Sequence, residues 1–221
     1  MIHIVPVLLL SANALCVPGP EAPAARRSVV IAEQRAPTLE ELYRGGQTYD
    51  AFYADAKARR ALWEENTSKA GVADDLLVRA RAISSRFYIL AIAIDACSDS
   101  VNSIPYVAKF AGQVDGVDMR IIGREAGQHL MESHRTPDGR PATPTLLILD
   151  ERFTEVGCWI ERPLALQTWY AEQSRILEGS ELTEKKMEWY RSDGGREILR
   201  EIVEILEAAA TGQTICAAAS T

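Results

Sequence analysis

A chain of 221 residues, 47% hydrophobic and 25% charged, is long enough to bury one elaborated core or two small ones. Its net charge of −7 argues against a general nucleic-acid binder. No run reaches the roughly 18 apolar residues that a membrane-spanning helix needs. The first stretch, "IVPVLLLSANALC", has the apolar character of a secretory signal, with Ala12 and Ala14 fitting a small-residue cleavage site. It lacks a preceding Lys or Arg, so export to the periplasm and an over-extended start of a cytoplasmic chain stand as equal expectations. The Pro/Ala-rich "VPGPEAPAARR" completes a leader over residues 1–36.

Thr38 and Glu41 form a capping box, which predicts a short helix from about residue 38 to the Gly45-Gly46 pair. Tyr49, Phe52, Tyr53, Ala56, Arg60 and Trp63 fall near one helical stripe, and "VADDLLVRARAI" reads as a further helix. Residues 37–86 are thus a helical extension. The texture then changes. "FYILAIAID" is a continuous apolar run, the pattern of a strand buried on both faces. A helix follows over residues 98–112, with Ser98, Asp99 and Ser100 as capping candidates. "VDMRIIG" is a second strand, residues 124–134 a helix, and "TPTLLILD" a third strand. After the turn "ERFTE", "VGCWI" returns antiparallel, which pairs Cys158 near Leu146. "LALQTWYAEQSRIL" is a closing helix. Two more helical segments, broken at Gly194-Gly195, fill residues 176–207, with Ile198, Ile202, Ile205 and Leu206 as an apolar stripe. The tail over 208–221 is expected to fray. The order βαβ, α, hairpin, α predicts a mixed sheet of about four strands with helices on both faces.

Four cysteines, Cys16, Cys97, Cys158 and Cys216, form no CxxC pair, which excludes a zinc ribbon and a dithiol motif. They are too scattered for an iron–sulfur carrier. His129 and His134 are five positions apart, off the spacing that sets two ligands on one helix face, so neither a metal nor a cofactor is expected. Cys97 has the most reactive position. It follows a buried strand and opens a helix, where the helix dipole and free N–H groups stabilise a thiolate. Asp99 opposes this by its charge and competes as the cap. The plain alternative is a cysteine used as a small apolar residue. Cys158 reads as core packing, out of reach of Cys97; Cys216 belongs to the fraying tail, and a pairing with Cys16 after export is one further alternative. His134, Arg135 and Arg140 precede the third strand and read as solvated loop charges, with a cation that favours a thiolate at the active-site end of the sheet as the alternative. The acidic run in "EIVEILEAA" reads as a solvated face, and Trp159 and Trp169 as packing residues.

The element order, Cys97 at the strand–helix junction, Pro105 eight residues later and "ATPTLLILD" opening the third strand resemble the thioredoxin superfamily over residues 87–175. "ACSDSVNSIP", "GREAGQHLM", "DGRPATP", "GCWIERP" and "WYRSDGGREILREI" resemble a bacterial thioredoxin-like subfamily with a helical N-terminal extension, over most of residues 40–207. The resemblance implies an α/β thioredoxin-like fold with extra helices at both ends. It implies Cys97 as nucleophile, Pro105 as the helix proline, a cis peptide before Pro144, and Thr143 as the residue whose backbone meets a partner. Three departures stand out. Ala96 replaces the family's tryptophan, Ser98 its glycine and Ser100 its resolving cysteine. A single thiol can attack a disulfide but cannot resolve the product unaided. Monothiol exchange with protein thiols or disulfides, or with a low-molecular-weight thiol such as glutathione, is therefore one expectation, with Ser100 donating a hydrogen bond to the thiolate. A non-catalytic binding or scaffold protein is the other. Nothing in the sequence sets an oligomeric state.

Overall fold

Residues 35–217 are described by the computed structural model; the signal-like stretch, most of the leader and Cys16 lie outside them. The Thr38 capping box forms as predicted: its hydroxyl accepts the Glu41 N–H, and the Glu41 carboxylate accepts the Thr38 N–H at 2.8 Å. Helix α1 runs from Leu39 to Gly45. The aromatic stripe that follows is two helices, α2 (Tyr49–Asp55) and α3 (Arg60–Lys69), because Ala56 is extended and Arg59 takes a left-handed conformation at φ 52°. Helix α4 covers Asp74–Arg81.

The sheet begins with β1 (Phe87–Ile92), crosses through α5 (Ser98–Ala111) and returns in β2 (Val117–Ile122), parallel to β1. Helix α6 (Arg124–Ser133) leads to the hairpin β3 (Thr145–Leu149) and β4 (Glu155–Ile160). Strand β3 lies antiparallel to both β1 and β4. Helices α7 (Leu164–Gln173), α8 (Gly179–Asp193) and α9 (Arg196–Ala210) follow. The break between α8 and α9 falls at Gly194-Gly195, where both residues have positive φ and a Cβ on Gly195 would enter the Tyr106 ring.

Both sheet faces are covered, as the apolar run of β1 requires. Ile89 and Ala91 face a core shared with Trp63, Leu76, Ile104, Phe110 and the α9 stripe Ile198, Ile202, Ile205 and Leu206. Leu90 and Ile92 face Leu42, Tyr43, Leu130, Met131, Leu147 and Cys158. Fully burying each such aliphatic chain contributes about 1.5–3 kcal/mol.

Several expectations need correction here. The tail does not simply fray: Ile215–Cys216 form β5, parallel to β4, and make the sheet five-stranded in the order β2-β1-β3-β4-β5. The cause is covalent, since Cys216 is disulfide-bonded to Cys158. Cys158 is therefore neither a free core thiol nor a partner of Cys97, and Cys216 is not paired with Cys16. Cys158 also pairs with Leu147 rather than Leu146, because a β-bulge shifts the register between Ile148 and Leu149. The opposite edge, β2, is covered by Gln47, which exchanges two 2.8 Å backbone hydrogen bonds with Ile121. No helix among the described residues is long and apolar enough to cross a membrane.

Candidate functional site

Strand β1 ends at Ile92, and the five residues to Cys97 carry the chain to the start of α5. That loop is held by the helical extension. The Trp63 indole N–H donates to the Asp95 carbonyl at 3.0 Å, and the Asp95 carboxylate accepts the Lys57 and Ala58 N–H groups, each at 2.8 Å. The Ala58 N–H, seconded by that of Lys57, holds the Asp95 carboxyl below the usual carboxylate range against partial desolvation. Arg59 Nε donates to the Ala96 carbonyl at 2.6 Å.

Cys97 is half-buried and is itself the N-cap of α5. Its Sγ accepts the Ser100 backbone N–H at 3.4 Å, and its S–H donates to the Thr143 carbonyl at 3.1 Å. The Thr143–Pro144 peptide is cis, and the Pro144 carbonyl accepts the Glu161 N–H at 2.7 Å. The structure thus brings Cys97, Ser100, Thr143 and Pro144 together. Pro105 lies inside α5 and is buried.

Ser98, Asp99 and Ser100 do not cap the helix. Ser100 meets the sulfur through its main chain, while its fully buried hydroxyl has no hydrogen-bond partner among the described residues. Asp99 turns away into a buried polar cluster. Its carboxylate accepts from Lys186 Nζ at 3.1 Å, Tyr190 Oη at 2.8 Å and Arg162 Nη2 at 3.3 Å. Lys186 also donates to the Ser98 hydroxyl at 2.8 Å. Burial, with the Asp99 carboxylate beside it, pushes the Tyr190 phenol well above its ordinary value. The charge that was expected to oppose a thiolate at Cys97 is therefore compensated by two buried cations.

Pro105 has no N–H to give the carbonyl four residues back, Val101. Asn66 of α3 fills that place: its buried amide donates to the Val101 carbonyl at 2.8 Å and to Asn102 Oδ1 at 3.1 Å. Lys186, Arg162 and Asn66 were not singled out from the sequence. One signal existed for Lys186, which stands between Leu182 and Tyr190 at four-residue spacing on the buried face of α8.

Of the charged residues ahead of β3, Arg135 and Arg140 are exposed, as solvated loop charges are, and His134 is half-buried; all three also have partners. His134 Nε2 and Glu155 Oε1 lie 2.7 Å apart, Arg140 bonds Asp138 at 2.6 Å and Glu161 at 3.2 Å, and Arg135 donates to the Gly139 carbonyl at 2.8 Å. Beyond them opens a cleft of 730 Å³ lined by Arg140, Glu161, Arg162, Gln167, Tyr170 and Arg175. Arg162 joins this cleft to the Asp99 cluster.

A family model described as Thioredoxin matches residues 46–198. The chain belongs to the thioredoxin family. Among solved structures, this thioredoxin-family chain is similar to a Pseudomonas aeruginosa protein of unknown function, at 20% identity and TM-score 0.62, covering 78% of this chain and 99% of that one. It is also similar to an HIV epitope scaffold, at 20% identity and TM-score 0.60 over the same shares. These neighbours share the fold, which for this chain is α/β and thioredoxin-like. No curated protein matches the chain significantly.

Proposed function

We propose that this thioredoxin-family protein carries out monothiol thiol–disulfide exchange at Cys97, as a degenerate CxxS member of the bacterial subfamily its motifs resemble. The observation that carries the reading is the setting of Cys97: half-buried at the start of α5, in contact with the Ser100 N–H, and facing Thr143 beside the cis peptide. The Cys97 thiolate attacks a disulfide RS–SR′, forming a Cys97–SR bond and releasing R′S−. With Ser100 in the resolving position, an external thiol such as glutathione attacks the mixed disulfide, and Cys97 leaves as thiolate. Thr143 and Pro144 present backbone to the partner's extended chain.

The test is turnover of a peptide–glutathione mixed disulfide with glutathione as co-substrate. Wild type is expected to release peptide thiol catalytically, Cys97→Ser to be inactive, and Ser100→Ala to retain activity, because Ser100 meets the sulfur through its backbone. Wild-type turnover equal to that of Cys97→Ser would overturn the reading.

One observation favours a binding role instead. The Thr143 carbonyl already accepts the Cys97 S–H, and Ala96 and Ser100 depart from the family's redox residues. A scaffold that only holds an extended segment would keep its partner when Cys97 is changed to Ala, whereas exchange-dependent capture would be lost.

A further inference from the structure

The other two described cysteines stand at a second constellation. Ligand atoms of His134, Glu155 and Cys158 all lie within 4.8 Å of one another, and Cys216 is bonded to Cys158 with a Cα–Cα separation of 4.4 Å. In a regular strand, Glu155 and Cys158 would point to opposite faces, since they are three positions apart. The bulge opposite Ile148 changes this. Leu147 pairs with Cys158 and Leu149 with Glu155, so the acid and the cysteine share the face turned toward the second core. The C-cap of α6 delivers His134 to the same place.

The histidine is oriented as a metal ligand would be. Its Nδ1 lies 2.8 Å from the Leu130 carbonyl, which can only accept, so Nδ1 carries a hydrogen. Nε2 then points at Glu155 with one proton held between them, at 2.7 Å. A ring N–H anchored on a carbonyl is the usual outer support of a histidine bound to metal through its other nitrogen. Both side chains keep solvent access, at 15% and 28% exposure.

The geometry points to a redox-gated Zn2+ site: once the Cys158–Cys216 disulfide is reduced, His134, Glu155 and the two thiolates bind one zinc ion. Two sulfurs, one imidazole nitrogen and one carboxylate oxygen are a donor set that suits tetrahedral Zn2+. Bond lengths of about 2.0–2.3 Å put tetrahedral ligand atoms roughly 3.3–3.8 Å apart, so from a spacing of up to 4.8 Å the atoms close in by at most about 1.5 Å, while the 2.7 Å His134–Glu155 pair opens. Reduction consumes two equivalents of a low-molecular-weight thiol, which leave as their disulfide; the S–S bond breaks and two S–H bonds form. Zn2+ then displaces both thiol protons and the proton between His134 and Glu155, releasing three protons. The ligands come from α6, β4 and β5, so spacing along any one helix does not report them. The inference does not rest on Cys97.

The test uses the full chain carrying Cys16→Ser and Cys97→Ser, with Co2+ as spectroscopic probe and Zn2+ titrated against a chromophoric chelator. The reduced protein is expected to bind one equivalent, with the thiolate-to-cobalt charge-transfer band and intense visible bands of a tetrahedral site. The disulfide form should show neither. His134→Ala and Glu155→Ala should each weaken Zn2+ at least tenfold. If a ligand variant fails to fold, the Co2+ spectrum of the intact ligand set still decides. Binding by the reduced protein no tighter than by Cys158→Ser/Cys216→Ser, a spectrum without thiolate bands, or folded His134→Ala and Glu155→Ala variants with unchanged affinity would each overturn the site.

Discussion

Cys97 caps the helix that follows β1 and Cys158 lies within β4, and the two are secured by different means. Cys158 is fully buried in β4 and joined covalently to Cys216, so its surroundings are fixed by a bond across 58 residues of chain. Cys97 is free and half-buried, and everything that fixes it is a hydrogen bond or a buried charge pair. On the proposed exchange reading the site cannot be held by a covalent tie of its own, and its support lies further out, at Asp95, Asp99 and Asn66. The buried polar groups around Cys97 are accordingly numerous and tightly matched, while Cys158 sits in an apolar core with the His134–Glu155 pair at its sulfur.

The largest effect is expected where that polar support is broken. Asp99→Ala leaves Lys186 and Arg162 buried without their shared carboxylate, and should destabilise the fold by about 3–5 kcal/mol in denaturant unfolding. It should also change the alkylation rate of Cys97 while leaving the Cys158–Cys216 bond intact. The converse break is removal of the disulfide. Cys158→Ser/Cys216→Ser should cost about 2–4 kcal/mol for a loop of this length, with the Cys97 alkylation rate unchanged in the folded protein. A change in that rate would show that the two regions are coupled.

Asn66→Ala comes next. It strips the Val101 carbonyl of the donor that replaces the missing N–H of Pro105, and should cost about 1–3 kcal/mol, with hydrogen-exchange protection lost first in the opening turns of α5. The smallest effect concerns the sheet face opposite Cys158. Burial pushes the Glu201 carboxyl up to about 7, against the hydrogen bonds it accepts from Trp159 Nε1 at 2.6 Å and the Leu164 N–H at 2.8 Å. Its folded-state value is raised, so its contribution is complete below the ordinary carboxylate range and declines as pH rises through about 7. Stability measured from pH 4 to 8 should carry this decline in wild type, and Glu201→Gln should flatten it.

These sites differ in how far the sequence revealed them. The capping box at Thr38, the glycine break between α8 and α9 and the doubly buried β1 are local signals, in which hydrogen-bonding side chains, glycine or apolar runs act within a few residues. The position of Cys97 opposite Thr143 and Pro144 came from motif resemblance, and the structure brings those residues together. Other features depend on partners far away in the chain. Asp99 looked like a helix cap because its neighbours in sequence are free N–H groups; Lys186, Arg162 and Tyr190 offer its carboxylate more, so Cys97 takes the cap. Glu201 belongs to an acidic run that reads as a wet face, yet it lies beneath Trp159, because α9 packs that turn onto β4. Strand β5 has two residues in a low-complexity tail, and only the pairing of Cys216 gives it a place.

The most direct measurement is the fate of Cys97 in the folded Cys16→Ser protein with its disulfide intact. The chain would be exposed to oxidised glutathione at neutral pH, then to iodoacetamide, and mapped by peptide mass spectrometry. Exchange chemistry predicts a glutathione adduct on Cys97 that blocks alkylation there and is removed by reduced glutathione. A Cys97 that takes neither reagent until the protein is unfolded would contradict it and leave the fold as a binding surface.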